Sequence, residues 1–223
     1  MTAPTRSPSR SAPGVGVLAA IGFLAAYLAV SPLSGAFVDR PLPLPGSPAA
    51  EVADFYAANP AAVAVTAGLQ ILSVACLAVF VAGLAPALRA VGAGWLPRAG
   101  YLSVAAMVVS SALSVTLAMI AATAGDTTVT VLRQASFYAG GVANVVLLGV
   151  FVFGSTRVLG RERLFGAPTR WFGFVAGTLA MLSVLSLVIY YANLFLPVGR
   201  VLSMVWTIVA AVVVYRRVQA ENR

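Results

Sequence analysis

The side chains able to do chemistry fall into two sets. One is charged: Glu51, Asp54, Asp126, Arg133 and Arg200 stand near the edges of long uncharged runs. Carboxylates converging there would supply a general acid and base. The arginines would hold an anion or a lipid headgroup, or pair with Asp126, Asp39, Glu51 or Asp54 and fasten the loops. The other set is uncharged and lies inside the runs: Gln70, Ser114, Asn144 and Trp206. These either line a polar pocket for a ligand or hydrogen-bond from helix to helix. Absences narrow the chemistry further. All 14 basic residues are arginine, and histidine does not occur, which excludes a Ser-His-Asp triad, histidine-held metals and a lysine Schiff base. With Cys76 the single cysteine, an intrachain disulfide is excluded too, so no metal or cofactor is expected.

Those residues must be positioned by elements that live in lipid. Of 223 residues, 61% are apolar and only 9% charged, against about 25% charged in an ordinary soluble domain. The charge-free stretches are 13–38, 61–88, 99–125, 134–156 and 171–199, the last continuing past Arg200 far enough for a second crossing. A helix rising about 1.5 Å per residue crosses a ~30 Å hydrocarbon layer in ~20 residues. The expectation is therefore an all-α polytopic bundle of six transmembrane helices, near 15–34, 61–84, 99–123, 133–156, 171–192 and 196–215. Residues 1–13 form a disordered tail, 14–215 the membrane domain and 216–223 a second short tail. The runs lack the alternation of barrel strands. An N-terminal signal peptide is the other reading of the first run, but 15–34 exceeds the usual ~7–15-residue apolar segment.

Arginine placement gives a direction. With the amino terminus in the cytoplasm, eleven arginines and two carboxylates lie inside, for +9, and three arginines and four carboxylates lie outside, for −1. The positive-inside bias thus predicts that both termini are cytoplasmic. Spread over several short segments, the positive charge suits anionic lipid headgroups and not nucleic acid. No Asp, Glu, Lys, Arg or His falls in the middle third of a span, which argues against a proton-driven pump and against acid catalysis in the bilayer.

One connection has a design of its own. Pro41, Pro43 and Pro45 alternate with leucine in the first outer loop and predict an extended segment. Ser47-Pro48 then reads as an N-cap and first helical residue of a short amphipathic helix to Ala58, with Ala49, Val52, Phe55 and Tyr56 on one face. That helix either rests at the membrane interface or closes a cavity, with Phe55 and Tyr56 as the latch. Inside the spans, Ser110-Ser114-Ala118-Ala122, Ser136-Gly140-Asn144 and Ser203-Thr207 repeat every fourth residue, a spacing that lets helix backbones approach.

The loop leading into Glu51-Val52-Ala53-Asp54-Phe55-Tyr56-Ala57-Ala58-Asn59, Gln70 in the next span, and the junction Ala167-Pro168-Thr169-Arg170-Trp171-Phe172-Gly173 resemble a family of uncharacterised six-helix bacterial membrane proteins sharing a domain of unknown function. The resemblance implies the six-span fold and a plasma-membrane location, and carries no catalytic residue. Three functions follow as expectations. The first is a non-enzymatic protein that binds a small apolar or lipid-like ligand, or a membrane partner, within the lipid bilayer. The second is an uncoupled permease for an uncharged or lipophilic solute, needing a continuous polar path past Gln70, Ser114 and Asn144. The third is an enzyme on an isoprenoid or lipid substrate, needing the carboxylates of the outer rim.

Overall fold

Proline, glycine and asparagine set where the helices begin and end. The computed structural model describes residues 13–38, 42, 43 and 46–221. Within them run α1 (Pro13–Gly35), α2 (Ala49–Ala58), α3 (Pro60–Ala90), α4 (Leu96–Ile120), α5 (Asp126–Ser136), α6 (Asn144–Arg161), α7 (Ala167–Leu182) and α8 (Phe195–Glu221). A π-helical segment, Phe137–Ala143, joins α5 to α6 without a break, and two 3₁₀ turns, Ser183–Leu187 and Tyr190–Leu194, join α7 to α8. Among the described residues, six stretches are long and apolar enough to cross a membrane: Gly14–Gly35, Pro60–Ala90, Leu96–Ile120, Asp126–Arg161, Ala167–Leu187 and Tyr191–Ala220. This is an all-helical bundle and a multi-pass membrane protein.

Several boundaries differ from expectation. Asp126 opens the fourth span instead of closing the third, and Arg133 lies seven residues, ~10 Å, inside it. The same span runs on to Arg161, and α3 continues to Ala90. A charged side chain marks where the hydrocarbon ends, but it does not end a helix, whose backbone bonds persist into the headgroups. The 216–223 tail is likewise helical through Glu221. The fifth span leaves α geometry at Ser183, and the turn into the sixth sits at Val188 and Ile189, inside the stretch expected to continue the fifth span to 192. Pro13, expected in the disordered tail, already opens α1, while residues 1–12, Asp39, Arg40, Pro41, Leu44, Pro45 and 222–223 lie outside the described residues.

Local chemistry accounts for the breaks. Gly92, at φ +75°, ends α3 with the Gly92 N–H on the Arg89 carbonyl and the Ala93 N–H on the Leu88 carbonyl, the paired closure of a left-handed cap. Arg163 does the same for α6 at φ +54° without being glycine. Asn59 closes α2 twice, its backbone N–H and its Nδ2 both donating to the Phe55 carbonyl at 3.0 and 2.9 Å, and Pro60 restarts the chain as α3. Pro48, not Ser47, occupies the N-cap of α2, and no side chain caps it.

The spans close a ring in chain order: α1 on α3, α3 on α4, α4 on the fourth span, then α7, α8 and back to α1. Apolar residues that elsewhere would be buried face outward, among them Leu72, Val109 and Met119. Lipid solvates these as well as a core would, so packing and polar contacts hold the helices together. The main apolar cluster, with Leu77, Phe80, Val81, Leu148, Phe151 and Trp206, fills the middle and the end nearer Arg89, Arg161 and Arg217. A second cluster sits at the opposite end, where α2 lays Val52, Phe55 and Tyr56 against Val63, Leu117 and Val129. Between these two clusters the bundle is hollow.

Candidate functional site

The hollow is a cavity of about 380 Å³ at the end of the bundle that carries α2. Each wall is one face of a helix. Arg133, Ser136, Phe137 and Gly140 come from α5 and the π segment at i, i+3, i+4 and i+7, and Met107, Ser110 and Ser114 from α4 at i, i+3 and i+7. Thr66 and Gln70 line it from α3, Arg200 reaches in from α8, and Phe55 and Tyr56 of α2 form part of the lining.

Serines tie two walls together. Ser110 Oγ donates to the Ser136 carbonyl at 2.8 Å, and Ser136 Oγ donates back to the Ser110 carbonyl at 3.1 Å. Ser114 Oγ lies 2.8 Å from Ser136 Oγ, joining the same knot. Helices come this close because Gly140 faces Ser110, where a Cβ would overlap the serine side chain.

The π segment has a further consequence. The Asn144 N–H bonds to the carbonyls of Ala139 and Gly141 and skips Gly140, its normal i−4 partner. Arg200 Nη2 donates to the Gly140 carbonyl that is thereby passed over. Its guanidinium carbon also lies 5.5 Å from the Tyr27 ring centroid, within cation–π range. Arg133 Nη2 donates to the Pro43 carbonyl at 3.3 Å. Both arginines nevertheless keep a buried Nε–H with no partner. Among the described residues neither forms an ion pair: Glu51, Asp54 and Asp126 are exposed and do not line the cavity. The expected fastening of Arg133 or Arg200 by those three carboxylates is therefore not what the structure shows. Two cations on one cavity without a described carboxylate make it strongly attractive to an anion.

The uncharged residues divide. Gln70 and Ser114 line the cavity, and Gln70 Oε1 accepts from Ser111 Oγ at 3.3 Å. Asn144 lies deeper and is spent on packing: its Nδ2 donates to the carbonyl and Oγ of Ser103, both at 2.9 Å, while Ser103 Oγ donates to the Asn144 carbonyl at 2.8 Å. A void of only about 10 Å³ separates it from Gln70 and Arg200, room for one water at most. Trp206 sits elsewhere, fully buried in the main apolar cluster and edge-on to Phe165 at 5.9 Å. Below Gln70, Met107 and Arg200 polar groups continue to Asn144 and Ser73, but among the described residues the open volume there shrinks to that void of about 10 Å³, so the open polar path that a permease requires is pinched here.

Sequence reasoning overlooked Ser110, Ser136, Phe137 and Tyr27 as site residues. Ser136 and Phe137 were within reach, since Arg133 repeated at helical spacing leads to both, and Ser110 stands one turn before Ser114. Tyr27 carries no such signal. Comparison of the chain with family models, curated proteins and solved structures gives no match.

Proposed function

We propose that this is a non-enzymatic plasma-membrane protein that binds an anionic amphiphile, taking its headgroup into the cavity between Arg133 and Arg200 from the outer leaflet. The observation that carries this reading is the pair of guanidinium groups, each with an unpartnered buried Nε–H, on one cavity that no described carboxylate lines. Burying unpaired charge destabilises a protein by several kcal/mol, so such a pair is expected where an anionic partner arrives to satisfy it.

Depth supports a lipid headgroup. Arg200 is five residues into α8 and Arg133 seven into α5, so both lie within ~10 Å of their helix starts, about headgroup level. The apolar part of the lining, with Phe55, Val63 and Met107, suits the first methylenes of a chain. The outward assignment of this end rests on the arginine excess of the opposite one. The enzyme reading loses support because Glu51, Asp54 and Asp126 stand away from the cavity, and the permease reading because the open volume narrows to about 10 Å³ beside Gln70.

The test uses the full chain in a neutral detergent with short-chain phosphatidylglycerol or phosphatidylcholine added, followed by thermal unfolding and native mass spectrometry. The expected result is retention of the anionic lipid and a rise in Tm with it alone, both lost in Arg133→Gln/Arg200→Gln. Equal response to both lipids, or an unchanged response in the double variant, overturns the proposal. The arginines at the other end remain in that variant, so it separates this cavity from general attraction.

A further inference from the structure

A second cavity of about 310 Å³ lies on the other side of Arg133, and Arg133 and Phe137 line both. It exists because α7 stops early. The chain passes through the 3₁₀ turn Ser183–Leu187 and an extended Ile189 (φ −118°, ψ 112°) before the next turn, leaving a gap beside the fourth span. Gln134 and Tyr138 border the gap on the side of the fourth span, and the two polar groups on the opposite side are of a particular kind. Asn193 Oδ1 is buried and has no partner. Ser186 Oγ donates its hydrogen to the Ser183 carbonyl at 2.7 Å, which leaves its lone pairs free to accept. Among the described residues, Arg133 supplies the cationic edge, with its unpartnered Nε–H.

A hydrocarbon chain in this space would leave Asn193 Oδ1 unsatisfied, and a phosphate seated against Asn193 Oδ1 and Ser186 Oγ would face acceptors with acceptors. A hydroxyl satisfies both Asn193 and Ser186 by donating. Given the reading of the first cavity, on which this inference rests, we infer that the two cavities form one bipartite site for a phosphodiester lipid whose headgroup carries hydroxyls, with the phosphate at Arg133 and Arg200 and the polyol beside Ser186 and Asn193. Arg133, as the shared wall, binds the junction of the two parts. The ligand class is thus an anionic lipid with a glycerol or sugar beyond its phosphate, as opposed to a phosphate monoester.

Charge alone predicts the reverse preference, since a monoester carries more negative charge than a diester and two arginines would favour it. This makes the order of affinities decisive. Short-chain phosphatidylglycerol and short-chain phosphatidic acid are titrated against the full chain in neutral detergent, with Asn193→Leu and Ser186→Ala as variants. Phosphatidylglycerol should bind at least tenfold more tightly. Each variant should weaken it about tenfold while leaving phosphatidic acid within twofold. If phosphatidic acid binds as well or better, or the variants change both lipids alike, the bipartite site is wrong and the anion-binding cavity stands. If neither lipid binds the parent protein, both readings fall. The comparison of lipids on the parent chain requires no variant to fold.

Discussion

Replacing Arg200 by methionine separates a ligand-binding cation from a structural one, because the two roles predict opposite signs. In the empty protein Arg200 makes a charged hydrogen bond to the Gly140 carbonyl, worth about 1.5–3 kcal/mol. Its contact with Tyr27 adds about 0.5–2 kcal/mol. Against these stands the desolvation of a half-buried guanidinium that lacks a counter-ion among the described residues, a cost of the same order. Methionine keeps the length and packs flexibly against Tyr27 and Met204. The empty Arg200→Met protein is therefore expected to be as stable as the parent, or up to about 2 kcal/mol more stable. Ligand reverses the order. At a concentration of about 100 times its Kd, phosphatidylglycerol should stabilise the parent by ~2.7 kcal/mol. Loss of charged bonds worth about 1.5–3 kcal/mol weakens binding roughly ten- to hundredfold, which cuts that gain to between ~0.4 and ~1.4 kcal/mol. The assay is equilibrium unfolding in mixed micelles with and without the short-chain lipid. An empty variant destabilised by more than about 2 kcal/mol that keeps the full lipid-dependent gain would refute the reasoning and make Arg200 a packing residue.

Three further outcomes are expected. Asn144→Leu should lower stability by about 1–3 kcal/mol, since helix-to-helix bonds in membranes are each worth ~0.6–1.7 kcal/mol and Asn144 makes two through its amide; anionic lipid affinity, measured in parallel, should stay within twofold. Phe55→Ala/Tyr56→Ala strips the apolar face by which α2 meets Leu117 and Val129, so lipid dissociation followed by surface plasmon resonance should accelerate at least tenfold while the midpoint of bundle unfolding moves little. Arg163→Gly should raise stability by about 1 kcal/mol, because a non-glycine residue at φ +54° carries left-handed strain that glycine lacks, and Arg163→Val should lower it; denaturant unfolding reads both.

The sequence by itself determined that lipid is the solvent, that the chain crosses it six times, and that α2 and its apolar face follow the first span. Each depends only on local composition and on period: twenty-odd uncharged residues must form a helix in hydrocarbon, whatever surrounds them. The spacing of Ser110, Ser114, Ser136 and Gly140 likewise announced a close helix contact. Boundaries were less legible where charge and helix part company, as at Asp126 and Arg133, because hydropathy reports the depth of the membrane and not the hydrogen bonding of the backbone.

Tertiary structure alone decided what the polar residues do. Asn144 and Gln70 look equivalent in the sequence, yet one is consumed by Ser103 and the other faces an open cavity, a difference set by which helix lies opposite. Arg133 and Arg200 are 67 positions apart and read as snorkelling side chains at helix ends. They become a pair because the π segment passes over the Gly140 carbonyl, which Arg200 takes, and because Glu51, Asp54 and Asp126 end up facing away. A partner's absence is a property of the fold: no single helix carries the information that the charge it buries will have nothing to meet.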